Sequence, residues 1–300
     1  MNRPRILLIG GDGQVGWELR RTLAPIGDLV VTGPCEPAGF LDLTNPDAVR
    51  DRLRGLKPDL IVNPAAYTAV DQAEKEQGLA SAINALAPAV IAEEAKALGA
   101  LMVHWSTDYV FDGETGRPYR EDDASNPQGV YGSTKLDGEK AVAAVDGAHL
   151  IFRTAWVYGL RGKNFLRTML RLGEERDQLG VVDDQHGSPN WSRMLAQACA
   201  AVIGRTSGQW QDLRGVYHLS SGGETSWCGF ARAIFDEHAR RIQQDEPICQ
   251  VKAITTQEYP TPARRPARST LDCSKLASDF GIVLPHWREA LELCMADGCF

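Results

Sequence analysis

The chain lacks an apolar run of membrane-spanning length and lacks any block of like charges. The first absence excludes a transmembrane helix. The second, with a mildly acidic formal net charge of -7, argues against a nucleic-acid or membrane-surface partner. Sulfur is sparse as well. The 7 cysteines (Cys35, Cys199, Cys228, Cys249, Cys273, Cys294 and Cys299) are scattered, odd in number and without C-x-x-C spacing. That pattern excludes a disulfide framework and a zinc knuckle, and it reads as reduced thiols in a cytoplasmic protein. Only a short β-type run separates Met1 from the first glycines, too little for a signal-peptide core. Charged residues make up 24% and hydrophobic ones 43%, so disorder is excluded too.

What remains is a chain of 300 residues, about the length at which a second lobe joins a first core. Short apolar runs at residues 6–9, 29–31, 60–62, 101–103 and 150–152 alternate with longer amphipathic stretches, such as the Ala-rich segment 79–98. Strand and helix alternating in this way predict a parallel sheet covered on both faces. After residue 155 the rhythm loosens and the strands shorten, to 179–182 and 216–219. The expected architecture is α/β: a Rossmann-type doubly wound sheet over residues 1–155, with a smaller lobe over 156–300 whose later segments rejoin the first. Prolines at 260, 262 and 266 make residues 259–268 an irregular loop.

Gly10-Gly11-Asp12-Gly13-Gln14-Val15-Gly16 follows the first strand and opens the first helix. Absent side chains at Gly10, Gly13 and Gly16 permit a tight turn and a close approach of backbone to a pyrophosphate. The helix N-terminus then offers free N–H groups and the positive end of its dipole. The stretch is therefore the candidate dinucleotide loop. Asp42 and Leu43, Ala65, Ala66 and Tyr67, and Trp105 come near the ends of the next strand-like runs, where this fold lines its cofactor cleft. The second strand ends in Thr32-Gly33-Pro34 without the usual ribose-binding acid. Such a turn would not repel a 2′-phosphate, so the cofactor reads as NADPH or NADH.

Tyr131-Gly132-Ser133-Thr134-Lys135 places a phenol and an ammonium one helical turn apart. A free phenol, with a pKa of about 10, is a poor proton donor–acceptor at neutral pH, and a neighbouring ammonium lowers it. Tyr131 and Lys135 are thus the catalytic candidates. At the end of the fourth strand, Thr107 is the first candidate to hydrogen-bond a reacting oxygen and Ser106 the second. His104 reads as a packed residue, and Asp108 as a turn residue beside the substrate rather than an acid catalyst.

The glycine loop, Ser106-Thr107-Asp108-Tyr109-Val110-Phe111 and Val130-Tyr131-Gly132-x-x-Lys135 together resemble the extended short-chain dehydrogenases/reductases. Residues 13–19, 68–74, 153–158, 164–165, 184–189 and 260–266 resemble, more narrowly, the dTDP-4-dehydrorhamnose reductase family. The resemblance implies reduction of the C4 ketone of dTDP-4-dehydro-L-rhamnose by NAD(P)H. It makes Tyr131 the proton donor, Lys135 its tuner and Thr107 the partner of the sugar oxygen, with Trp156 lining the sugar pocket. The expected partner is a small dTDP-sugar. A non-catalytic NADP-binding subunit on the same fold, and another nucleotide-sugar reductase, epimerase or dehydratase, stay open. Arg264, Arg265 and Arg268 lie in the stiff loop, with Arg265 the candidate for the substrate diphosphate. The family also associates magnesium with acidic residues at a dimer interface. Glu18 matches one such position, but Arg193 stands where a carboxylate is expected, which counts against the metal and leaves a monomer or weak homodimer. Asp183-Asp184 reads as solvated loop acids rather than a metal pair.

Overall fold

A computed structural model describes residues 3–33, 36–205 and 212–298, so Pro34 of the acid-free turn, Cys35 and Cys299 lie outside the described residues. The first half runs β1 (Arg5–Ile9), α1 (Gln14–Leu23), β2 (Asp28–Thr32), α2 (Pro46–Leu56), β3 (Leu60–Asn63), α3 (Val70–Ala73), α4 (Gln77–Ser81), α5 (Ala87–Leu98), β4 (Leu101–Thr107), α6 (Val130–Ala144) and β5 (His149–Thr154). The second half runs β6 (Val157–Tyr158), α7 (Phe165–Glu175), β7 (Gln178–Val182), β8 (His186–Gly187), β9 (Asn190–Trp191), α8 (Ser192–Arg205), β10 (Gly215–His218), β11 (Thr225–Ser226), α9 (Trp227–Arg241), β12 (Gln250–Ile254), α10 (Ser274–Phe280) and α11 (Trp287–Asp297).

The central sheet is six-stranded and parallel, in the order β10-β5-β4-β3-β1-β2. Alternation along each strand sends side chains to two faces. Leu8, Val62, Val103 and Phe152 join a core with Leu19 of α1, Leu195 of α8 and Leu276 of α10. Leu7, Ile61, Met102 and Ile151 join another with Val49 of α2, Ile91 of α5 and Val142 of α6. Helices therefore cover both faces, and β10, α8 and α10 come back to the first core from the second half of the chain. A separate core gathers Tyr158, Leu166, Phe230, Phe235 and Trp287 around the parallel pair β7–β12.

The chain leaves β1 for β2 on one side and crosses to β3 on the other, so the strand order reverses between β1 and β3. Crevices for ligands form at the carboxyl ends of strands at such a switch point. The Ala-rich stretch is one helical run interrupted by a π turn at Ala82–Leu86. The extra residue turns Asn84 inward. Its amide accepts from the Tyr67 backbone N–H at 2.8 Å and donates to Thr134 Oγ1 on α6 at 3.2 Å. A helical period alone does not reveal such a bulge, and bulges of this kind frequently sit at functional sites.

Candidate active site

The floor of the site is the turn from β1 into α1. Gly10 has φ of +84°, and a Cβ there would lie 2.8 Å from Ala65 Cβ; a Cβ on Gly16 would overlap the Gly10 carbonyl oxygen. Gly13 is different: an added Cβ would meet only Gly10 O, at 3.5 Å, and would otherwise project into open space. These glycines let the loop, the helix and β3's exit close on one another and keep one wall bare.

Two adjoining cavities share that wall. One, of about 260 Å³, lies between the ends of β1 and β2 and is bordered by Gly10, Asp12, Gly33, Asp42, Leu43, Ala65 and Ala66. The other, of about 490 Å³, runs over the loop towards α6 and is bordered by Gly13, Gln14, Val15, Gly16, Trp105, Ser106, Tyr131 and Lys135. Gly10, Asp12, Ala65 and Ala66 line both. Nearly every residue named for cofactor binding thus borders one groove. Tyr67 does not: its hydroxyl donates to Glu76 at 2.6 Å, and its backbone is held by Asn84. Asp42 accepts from the Thr44 N–H at 2.9 Å and hydroxyl at 2.7 Å, and Asn45 caps α2. Asp42 is therefore fixed in its own turn, free of any capping duty.

Three buried polar atoms at the wider end have no partner in the protein: Trp105 Nε1, Ser106 Oγ and Thr154 Oγ1. All three residues border the cavity. Buried polar groups are rarely left unpaired, so this end is shaped to receive polar atoms of a ligand. With the bare face of Gly13, the residues fit a nicotinamide dinucleotide.

The α6 helix sets the titratable groups. Its N-terminus has no cap of its own; Glu74 Oε1 accepts from the Val130 N–H at 2.9 Å. A Cβ on Gly132 would overlap the Tyr109 carbonyl oxygen, and one on Gly138 the Asn84 carbonyl oxygen, so both glycines permit close packing. Lys135 is 1% exposed, and its ammonium donates to the Trp105 carbonyl at 2.5 Å and to His104 Nε2 at 3.3 Å. His104 is thus more than packing: burial and the Lys135 charge hold it well below the usual imidazole range, so it is neutral and can accept. Burial pulls Lys135 down to about 8, against the opposing pull of Glu139. Glu139, one turn on, is locked to Arg153 of β5 at 2.6–3.2 Å with both side chains buried.

Tyr131 meets Tyr109 edge to face at 5.5 Å. Burial pushes its phenol up to about 12, outweighing the opposing pull of the neighbouring Thr107 hydroxyl; Asp108 pushes the same way as burial. The expectation that Lys135 lowers this phenol is corrected here: the ammonium is turned to His104 and Trp105 O, and desolvation dominates. Thr107 has two tasks. Its hydroxyl donates to Asp108 at 3.0 Å and accepts from the Tyr109 N–H at 3.2 Å, capping a short turn. Asp108 is buried, which raises it to about 6.

The remaining candidates lie outside the cavity lining. Trp156, with φ of +44°, stacks on Trp227 at 3.5 Å, while its neighbours Thr154 and Val157 line the wall. Arg265 is paired with Asp71 of α3 at 2.8 and 3.1 Å; Arg268 is 2.9 Å from Glu224, and Arg264 is 3.9 Å from Glu114. The arginine loop is therefore strapped to carboxylates. Asp183 accepts from Ser226, and Asp184 from Thr256 Oγ1 at 2.6 Å. The implied magnesium does not fit the residues at Glu18. Arg193 Nε lies 3.2 Å from Glu18 Oε2 and its Nη1 reaches Asp297, so a guanidinium already supplies the positive charge. Among the described residues no group of three or more His, Cys, Asp or Glu could hold a metal, and no helix is long and apolar enough to cross a membrane.

A parallel sheet with a glycine loop at its switch point, and a Tyr-x-x-x-Lys helix facing the same groove, define a nucleotide-cofactor oxidoreductase of the short-chain dehydrogenase type. The family model for the RmlD substrate binding domain matches residues 4–299. The dTDP-4-dehydrorhamnose reductase of Burkholderia thailandensis is 46% identical over 300 residues, 98% of each chain, and that of Shigella flexneri is 45% identical over 283 residues, 94% of each. Among solved structures, the dTDP-4-dehydrorhamnose reductase of Bacillus anthracis in complex with NADP superposes with a TM-score of 0.89 at 34% identity, covering 99% of this chain and 100% of its own. The chain belongs to the dTDP-4-dehydrorhamnose reductase family.

Proposed function

We propose that the chain reduces the C4 ketone of dTDP-4-dehydro-L-rhamnose to the alcohol of dTDP-L-rhamnose, consuming NAD(P)H and one proton. The observation that carries this reading is that Tyr131 and Lys135 border the same cavity as the glycine loop. NAD(P)H held along the glycine loop, Ala65 and Ala66 would supply the hydride for the carbonyl carbon. Tyr131 gives its proton to the carbonyl oxygen. A phenol pushed up to about 12 stays protonated at neutral pH, which is the state a donor in a reduction must hold. Lys135 borders the same cavity, with its ammonium held by His104 and the Trp105 carbonyl, and can hydrogen-bond the nicotinamide ribose of a bound cofactor. Thr107 lies between Asp108 and Tyr131 and can turn its hydroxyl to the sugar oxygen. The substrate side in this reading is the second lobe, with Trp156 stacked on Trp227 and the arginine loop strapped to Asp71, Glu114 and Glu224. The protein is cytoplasmic and magnesium-independent in this reading, as a monomer or weak homodimer.

Steady-state oxidation of NADPH and NADH with dTDP-4-dehydro-L-rhamnose tests it, with UDP- and GDP-linked keto-sugars as comparisons. Turnover confined to the dTDP-sugar is the expected result. Tight cofactor binding without turnover on any keto-sugar would favour a non-catalytic subunit instead.

A further inference from the structure

Dinucleotide folds usually place their ribose-binding acid at the end of the second strand. Here β2 ends at Thr32 and Gly33 follows, with no carboxylate of their own. A Cβ built on Gly33 would nevertheless overlap Asp12 Oδ2 and lie 3.3 Å from Glu36 Cγ. The glycine loop thus delivers the Asp12 carboxylate into the space that a side chain at the strand end would fill. Asp12 is exposed and borders both cavities.

Two arginines near this turn are engaged elsewhere, and the lysines that border the larger cavity, Lys135 and Lys163, do not border the smaller one. Arg20 is engaged with both oxygens of Glu36, at 2.8 and 3.1 Å. Arg52 sends Nη1 to the Ala38 carbonyl at 2.5 Å. Among the described residues, those bordering the smaller cavity include Asp12 and Asp42 and no lysine or arginine.

Building on the cofactor reading above, we infer that Asp12 accepts a hydrogen bond from the adenosine ribose 2′-hydroxyl and repels a 2′-phosphate, making the chain selective for NADH. A hydroxyl donating to a carboxylate is a charge-assisted bond. A 2′-phosphate offers the same oxygen only as an acceptor and brings about two negative charges, and juxtaposed like charges suppress the wrong partner. The acid-free turn at Thr32-Gly33 pointed to tolerance of NADPH; the carboxylate that reverses this comes from the neighbouring loop.

Calorimetric titration of ADP-ribose and 2′-phospho-ADP-ribose into wild type and Asp12→Asn, beside the kcat/KM ratio for NADH over NADPH, decides the matter. Asparagine keeps the shape and removes the charge. Wild type is expected to bind ADP-ribose about tenfold or more tightly than its 2′-phosphate, and Asp12→Asn to narrow that gap about tenfold, with the kcat/KM ratio moving in step. A wild type that prefers the phosphorylated ligand, or a gap that Asp12→Asn leaves untouched, overturns the role of Asp12 while the cofactor reading stands. Failure of wild type to bind either ligand overturns both.

Discussion

The two ends of the groove are built on opposite principles. At the wide end, Lys135, His104, Glu139 and Arg153 are buried and held by one another or by backbone, and Trp105, Ser106 and Thr154, which carry buried atoms without partners, border the cavity. At the narrow end, Asp12 and Asp42 are exposed, and Asp42 is held by its own turn. Chemistry demands fixed geometry and a dry surrounding, and the proposed reaction accordingly uses the end where a charge cannot be altered without disturbing its neighbours. Cofactor choice needs only one charge of the right sign, and the proposed selector, Asp12, sits where a single substitution can change it at little structural cost.

The contrast is tested most severely by Tyr131→Phe. The ring and its edge contact with Tyr109 remain while the proton donor goes, so kcat should fall by about 10²–10⁴-fold with ADP-ribose affinity kept. Residual turnover above about a tenth of wild type, far from that range, would remove Tyr131 from the chemistry.

Lys135→Met comes next, with an expected loss of about 10²-fold. It also carries a pH signature. Burial disfavours the ammonium, so the charge is present below about 8 and lost above it. The wild-type rate of reduction should therefore decline as pH rises through about 8, and a methionine variant should lack that limb. An identical alkaline decline in both proteins would break the link between Lys135 and the reaction.

Arg265→Ala probes the far side of the groove, where a half-exposed pair with Asp71 straps the loop to α3. Discounted for solvent screening, the pair contributes about 1 kcal/mol, so thermal scans should show a Tm lower by about 2 °C. A rise in KM for the dTDP-sugar with KM for cofactor unchanged would add a binding role to the strap. The smallest effect belongs to the metal. Chelator or added magnesium should change the rate less than about twofold, because Arg193 already neutralises Glu18. A chelator-sensitive rate would show that a cation enters despite it.

The sheet was legible because buried parallel strands read as short apolar runs, and residues 6–9, 60–62 and 150–152 fall within β1, β3 and β5. The glycine loop and the Tyr131–Lys135 pair were legible because their spacing is local. Other features depend on groups far apart in sequence. Arg193 meets Glu18 across 175 positions, and Arg265 meets Asp71 across 194. Lys135 does not lower the Tyr131 pKa, because desolvation of the phenol dominates and burial depth is not written in a five-residue motif. The Tyr67 backbone is held by Asn84 and its hydroxyl by Glu76, and the Asn84 bulge is one that an Ala-rich helical pattern conceals.

The return of β10 to the edge of the central sheet has a consequence for biosynthesis. A nascent chain that has emerged only as far as β5 presents that strand's hydrogen-bonding edge to solvent, and the cover from α8 and α10 is still to be made. Some sixty residues must follow before Gly215–His218 can dock on Leu150–Arg153. Throughout that interval the ribosome carries a sticky, unfinished sheet of the sort that pairs with other chains. Expression of the first 155 residues alone would make that interval permanent, and the fragment should need chaperone assistance or accumulate as aggregate.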